Sequence, residues 1–318
     1  MKKVINRISA CSAFVLILVL LIVTSSYLFA PKGNQSSFAM KNAAANAILD
    51  EDKNTIDVLF LGDSLVYSSV SPMQIWQEHG FTSYVCATSA QYISFSEVLL
   101  RQAFQEQAPK IVVLDANTIY RTMNSDISTM TRLESLISVF KFHNRWKEIG
   151  KFIPSNVFHC SWTDDMKGYI YSTDIIQAEN TSYMTKTDTI EKIEVSNEEY
   201  VKTIANFCKE NDAELLLINV PNSRNWCREK HNGIQELAEK YGIPYVDLNL
   251  LNEEISIDWN YDTRDKGDHL NYYGAVKTTK YLGEYLKANY SLPDRRNDGD
   301  YSGWNETLER YLATVENA

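Results

Sequence analysis

The chain has 318 residues, of which 44% are hydrophobic and 12% aromatic, enough apolar mass for one large core with accessory segments and unlike a disordered chain. Its formal charge of -10 and isoelectric point of about 5.1 argue against nucleic acid as a partner, because phosphate binding needs a basic face. Basic residues do not cluster anywhere beyond the extreme N-terminus.

That N-terminus carries Lys2, Lys3 and Arg7 ahead of an uncharged, mostly apolar stretch over residues 8–30, about the length of a bilayer-spanning helix. Positive charge before the stretch and little after it predict a cytoplasmic N-terminus with the remainder outside. Residues 1–30 are therefore expected to be a single-pass signal anchor. The stretch is long for a signal core and runs on into Tyr27-Leu28-Phe29, which favours a retained anchor; Val23 and Ser25 would suit a signal peptidase, leaving secretion after cleavage as the alternative. Of five cysteines, Cys11 lies in this segment. Cys86, Cys160, Cys208 and Cys227 are too irregularly spaced for a zinc site and are expected as buried thiols or one disulfide.

Residues 31–54 are polar, with an acidic cluster at Asp50-Glu51-Asp52, and read as a juxtamembrane stalk. Short apolar runs follow at residues 56–61, 83–86, 111–114, 215–220 and 244–246. Amphipathic stretches fall at 94–107, 198–210 and 233–241. This alternation predicts an α/β domain over residues 55–291, with a parallel sheet of about five strands and helices on both faces. The connection over residues 121–196 is too long for a simple crossover and is expected to be an insertion near the active face, a lid or a substrate-binding loop; residues 179–196 read equally as a surface excursion. A last amphipathic helix is predicted over 273–290, and residues 292–318 as a polar, peripheral tail.

Gly62-Asp63-Ser64-Leu65 directly follows the first apolar run, so it places a hydroxyl at the carboxyl end of a buried strand, where α/β enzymes react. A serine needs a general base within hydrogen-bond reach and an acid to orient that base. His79, His143, His159 and His231 stand in amphipathic or loop contexts and read as surface or packing residues. His269 lies in Asp265-Lys266-Gly267-Asp268-His269-Leu270-Asn271, a polar loop just before the final helix. In a doubly wound fold that loop shares the sheet edge with Ser64, so the two can meet.

Gly62-Asp63-Ser64-Leu65 near the start of the domain and Asp265 to Asn271 near its end resemble the SGNH/GDSL hydrolase superfamily, in its membrane-anchored or secreted bacterial form acting on acylated cell-surface polymers. The resemblance spans roughly residues 56–286. It implies a three-layer α/β/α, flavodoxin-like fold and a serine esterase or acyltransferase. It makes Ser64 the nucleophile and His269 the base. Three oxyanion donors are implied: the amide of Ser64, the amide of Ala87, which stands where a glycine is usual, and the side chain of Asn117, two residues after an Asp115 that also replaces a glycine. Asp63 resembles the turn-shaping aspartate of the family, and ordinary turn chemistry gives it the same structural part. The usual position of the acid, three residues before the histidine, holds Lys266. A one-residue expansion of the loop would keep Asp265 as triad acid. Asp268 is the alternative, disfavoured because neighbours on an extended segment point apart.

Two aromatic and polar segments, one with Arg145 and Trp146 and one with Asn222 and Trp226, are candidates for glycan contact, since sugar rings stack on indoles; each reads equally as a helix face or loop packed on the core. No phosphate-binding glycine loop or metal-ligand motif stands out, and neither a metal nor a cofactor is expected. The partners expected are an acylated or acceptor polysaccharide or a small ester, the membrane through the N-terminal helix, and a membrane acyl-donor protein. The competing expectation is a catalytically silent domain of the same fold that binds or assembles polysaccharide.

Overall fold

Five strands form the centre: β1 (Val58–Gly62), β2 (Ser83–Ala87), β3 (Ile111–Asp115), β4 (Glu214–Asn219) and β5 (Tyr245–Asp247). β1, β2 and β3 are buried along their whole length, and β4 at every residue but its first. Continuous apolar runs of this kind mark strands covered on both faces, and taking each Val, Leu, Ile or Phe out of water contributes about 1.5–3 kcal/mol. The computed structural model describes residues 2–31, 33, 42–122, 125–148 and 164–316. His159 and Cys160 lie outside the described residues.

The chain divides into two units, Met1–Ala43 with Asn124–Trp162, and Ala44–Met123 with Thr163–Ala318. In the first, α1 (Lys2–Phe29) contains a 23-residue apolar span, Arg7–Phe29, of mean hydropathy 2.6. By length and apolarity this helix suits a membrane span or a secretion signal. Short helices at Ser125–Leu136 and Ser138–Phe142 belong to the same unit, where Val139 N–H donates to Ser26 Oγ at 3.3 Å.

In the second unit all four strand pairings are parallel, in the order β2-β1-β3-β4-β5. This is the flavodoxin-like winding, in which the connections run in opposite directions from the gap between β1 and β3, and ligand crevices open at the carboxyl edge there. α2 (Ser64–Ser69), α3 (Pro72–His79) and α4 (Ile93–Ala103) follow β1 and β2; α5 (Val195–Glu210), α6 (Arg228–Tyr241) and α7 (Tyr272–Asn289) follow later. Val58 and Phe60 share a core with Leu282 and Leu286 of α7, while α4 and α5 pack together through Phe104 and Phe207, whose ring centroids lie 5.1 Å apart. Helices therefore cover both faces.

Three segments differ from their sequence-based expectation. The end of the expected stalk docks on the sheet edge: Ala45 and Ile48 are buried, and Tyr84 Oη donates to Ala44 O at 2.7 Å. The helical turns there, Ala43–Asn46 and Ala47–Asp50, are too short for an amphipathic period to show in the sequence. The expected peripheral tail instead forms α8 (Ser302–Glu316), with Trp304, Thr307 and Tyr311 buried on one face. Trp304 lies 5.4 Å from Trp76 in α3, and Ser71 Oγ donates to Tyr311 Oη at 3.1 Å. Arg295 grips buried Asp57 in a fork, Nε at 2.9 Å and Nη2 at 2.8 Å. The charged and polar residues between them hid the buried stripe of Trp304, Thr307 and Tyr311.

The third segment is residues 164–193, which carry no helix or strand yet are tied down throughout. Val85 N–H donates to Lys167 O at 2.9 Å, Ile170 N–H to Tyr67 O at 2.7 Å, Ile176 N–H to Thr263 O at 2.9 Å and Ala178 N–H to Trp259 O at 2.9 Å. Further along, Asn232 Nδ2 holds Thr187 O and Thr189 O. This strap, expected as a lid or surface excursion, is fastened to the sheet unit because the backbone groups on either side of it supply its hydrogen bonds.

Candidate active site

Gly62 closes β1 where a side chain has no room: a Cβ there would lie 2.4 Å from Val66 Cγ2 and 2.9 Å from Asp115 Cβ. The chain can then turn sharply into α2. Asp63 caps that helix by accepting Leu65 N–H at 2.9 Å, and Ser64 is its first residue. At the far end of the domain Asn271 caps α7 by accepting the amides of Tyr273 at 3.1 Å and Gly274 at 3.2 Å. The loop entering that cap carries His269.

The two loops meet. His269 Nε2 and Ser64 Oγ are 2.7 Å apart, and His269 Nδ1 is hydrogen-bonded to Asp265 Oδ2. Asp265 Oδ1 also accepts the backbone N–H of His269 at 2.6 Å, so one carboxylate fixes both ring and backbone. Burial alone would raise the Asp265 pKa, but these hydrogen bonds from His269 outweigh it and hold the carboxyl below its ordinary value. Asp268, the sequence alternative, keeps Oδ2 3.8 Å from Nδ1, beyond hydrogen-bond distance.

The extra residue between Asp265 and His269 is absorbed by a left-handed pair, Lys266 at φ +69 and Gly267 at φ +92. Around it Thr263 and Leu270 form an antiparallel bridge, and Arg264 N–H donates to His269 O at 3.1 Å. The loop closes on the strap and on the segment after β4: a Cβ on Gly267 would stand 2.1 Å from Ser223 Oγ and 2.9 Å from Ala178 Cβ. Gly267→Ala is accordingly expected to cost roughly 2 kcal/mol through strain at positive φ plus this clash, measured by denaturant unfolding.

Around Asp63 the structure gathers Asn117 Nδ2 at 3.1 Å and Arg121 Nη2 at 2.9 Å, both on Oδ2. Asn117 thus stands beside the Ser64 turn, on the helical turn that follows β3. One of its two amide protons is committed to Asp63. Ala87 lies at the end of β2, opposite Gly62. By strand alternation its N–H points the same way as that of Val85, which donates outward to Lys167 O at 2.9 Å. This corrects the expectation for Ala87, whose amide faces away from β1 and Ser64. The parity of an edge strand is set by its pairing, which the motif does not reveal.

Asp115 is fully buried. Burial, and then the charge of Asp63, push its pKa well up, while the Asn117 backbone N–H and Arg121 pull it back in part.

The glycan-contact expectation for Asn222 and Trp226 is not met. Asn222 is 1% exposed and Trp226 3%, and Trp226 Nε1 donates to Asp247 Oδ2 at 2.9 Å. His231 reaches the same Asp247 oxygen through Nδ1 at 2.8 Å, a packing histidine as expected. Arg145 is buried and Trp146 exposed, both in the first unit. Arg121 on Asp63 was not foreseen from the sequence, although it stands four residues after Asn117.

Asp265, Asp268 and His269 bring possible ligand atoms within 4.8 Å of one another. A cation there would compete with Asp265 for Nδ1. The chain is thus a doubly wound α/β protein with a serine–histidine–aspartate hydrogen-bond chain at the carboxyl edge of its sheet, next to the β1/β3 switch point.

No family profile matches the chain, and no curated protein matches it. Solved structures do. It is similar to a GDSL-like lipase from Bacteroides thetaiotaomicron (13% identity, TM-score 0.39, covering 80% of this chain and 100% of that one). A lipase/acylhydrolase from Enterococcus faecalis aligns at 11% identity and TM-score 0.40, over 75% and 99%. An acetyl xylan esterase from Geobacillus stearothermophilus aligns at 10% identity and TM-score 0.38, over 76% and 99%. Likeness at this level says nothing about activity, and the functional reading stands on the geometry of the site.

Proposed function

We propose that this chain is an SGNH/GDSL-type serine esterase or O-acyltransferase that works outside the membrane on acyl esters of cell-envelope glycans. The observation that carries the reading is the unbroken chain from Ser64 Oγ through His269, 2.7 Å at Nε2, to Asp265 at Nδ1. Ser64 Oγ bonds to the ester carbonyl carbon as His269 Nε2 takes its proton, and Asp265 steadies the imidazolium. The oxyanion is met by the Ser64 amide and the second Asn117 proton. Collapse breaks the bond to the leaving alcohol, which takes the proton from His269, and leaves an acyl-Ser64.

Water or a sugar hydroxyl then attacks that acyl group with His269 as base, giving hydrolysis or transfer. The extracytoplasmic side follows from Lys2, Lys3 and Arg7 ahead of α1, retained as an anchor or removed on secretion. A membrane acyl-donor protein is the partner a transferase would need. The silent-domain alternative predicts splayed side chains, and the 2.7 Å spacing favours the enzyme.

The test is labelling with a serine-directed fluorophosphonate followed by peptide mapping. Modification confined to Ser64, and lost in His269→Ala, is the expected result. An unlabelled Ser64 in folded protein would retire the enzyme reading in favour of a binding domain.

A further inference from the structure

Resting on the serine-enzyme reading, we infer that His269 is served by two carboxylates: Asp265 in direct contact, and Asp268 as a positioned second acceptor that Asn222 and Asn225 hold beside it. Asp268 Oδ2 is 3.8 Å from the same Nδ1 that Asp265 binds. Its other oxygen is held by two amides, Asn222 Nδ2 at 3.1 Å and Asn225 Nδ2. Asn222 Nδ2 also takes Asp268 O at 2.9 Å, so backbone and side chain of Asp268 are gripped together.

The grip is rigid because Asn222 has every polar side-chain atom engaged. Its Oδ1 accepts the amides of Arg224 at 2.9 Å and Asn225 at 2.6 Å, and its own N–H donates to Asn249 Oδ1 at 2.8 Å. The residue is 1% exposed, and breaking such a buried network leaves unpaired groups behind. Asp268 Oδ1 is thereby committed while Oδ2 stays turned to the imidazole. A closure of roughly 0.6–1 Å would make it a hydrogen bond. The imidazolium formed when Ser64 gives up its proton thus faces one bonded carboxylate and one in reserve. Asp268 is a positioning residue, acting through His269.

The two carboxylates are separable by mutation. Asp268→Asn keeps the Oδ1 acceptor that both amides need and replaces the oxygen that faces Nδ1; Asp265→Ala removes the first acceptor without imposing a new donor. On a small acetyl ester, Asp268→Asn alone is expected to lower kcat less than about tenfold with KM unchanged. Asp265→Ala retains a rate about 100-fold below wild type, and the double variant falls by on the order of 10,000-fold, the scale for loss of the orienting acid in such triads. Equal cost of Asp268→Asn in both backgrounds would make Asp268 structural and overturn the inference.

A second readout does not need turnover. In the full chain, solubilised in detergent and carrying 15N-histidine at its five histidines, the low-field Nδ1–H resonance of His269 should survive Asp265→Ala and vanish in the double variant. Its loss already in Asp265→Ala overturns the inference. The fluorophosphonate result bears on the enzyme reading alone, so the two can fail separately.

Discussion

Ser64→Ala is expected to lower turnover of a small acetyl ester by on the order of 10,000-fold or more, while unfolding free energy changes by no more than about 0.5 kcal/mol. The effect is local. Ser64 Oγ makes its bond to His269 Nε2, and the turn that presents it is held by other atoms: the Asp63 carboxylate on Leu65 N–H, Asn117 and Arg121. Removing one oxygen therefore deletes the nucleophile and leaves its platform intact. Residual rate would come from the oxyanion donors and binding, which survive loss of a triad member. Rates measured beside a denaturant titration decide the matter. Equal turnover in wild type and Ser64→Ala would mean that the 2.7 Å contact has no chemical role.

Trp304→Ala is expected to destabilise the sheet unit by about 3 kcal/mol, the lower end for removing a buried indole. Trp304 is 6% exposed, lies 5.4 Å from Trp76 and carries the Lys167 ammonium 4.8 Å over its ring. Trp76 in turn donates Nε1 to Asn305 Oδ1 at 3.1 Å, so α8 is joined to α3 by packing and by a hydrogen bond. Deleting the indole leaves a cavity beside a fully buried Trp76 and removes the cation's aromatic partner. For a unit of this size the thermal midpoint should fall by roughly 6–12 °C. A shift under about 0.5 kcal/mol, usual for surface positions, would restore the peripheral tail inferred from composition.

Much of the sheet was legible because β1 to β4 are buried on both faces, so each appears as a short unbroken apolar run between amphipathic stretches. The outer elements were harder. α8 exposes most of its surface, and its stripe of Trp304, Thr307 and Tyr311 is diluted by charged neighbours. The strap over residues 164–193 has no period at all, since its hydrogen bonds go to distant backbone such as Thr263 O and Trp259 O. Asn222 and Trp226 looked like ligand contacts for a related reason. Polar and aromatic side chains suit a surface or a satisfied interior equally well, and burial chooses between them.

By itself the sequence determined which groups are available: a serine after a buried strand, one histidine in a loop ahead of α7, and two aspartates, Asp265 and Asp268, shortly before that histidine. Their chemistry is intrinsic and travels with the residue. Tertiary structure alone decided which of them meet, since Ser64 and His269 are brought together by strand order and helix caps. It also decided between the two aspartates. The left-handed turn at Lys266 and Gly267 swings Asp265 back onto Nδ1, while Asn222 and Asn225 hold Asp268 just out of reach. Spacing along a chain limits such an outcome, but the folded backbone's direction at each residue settles it.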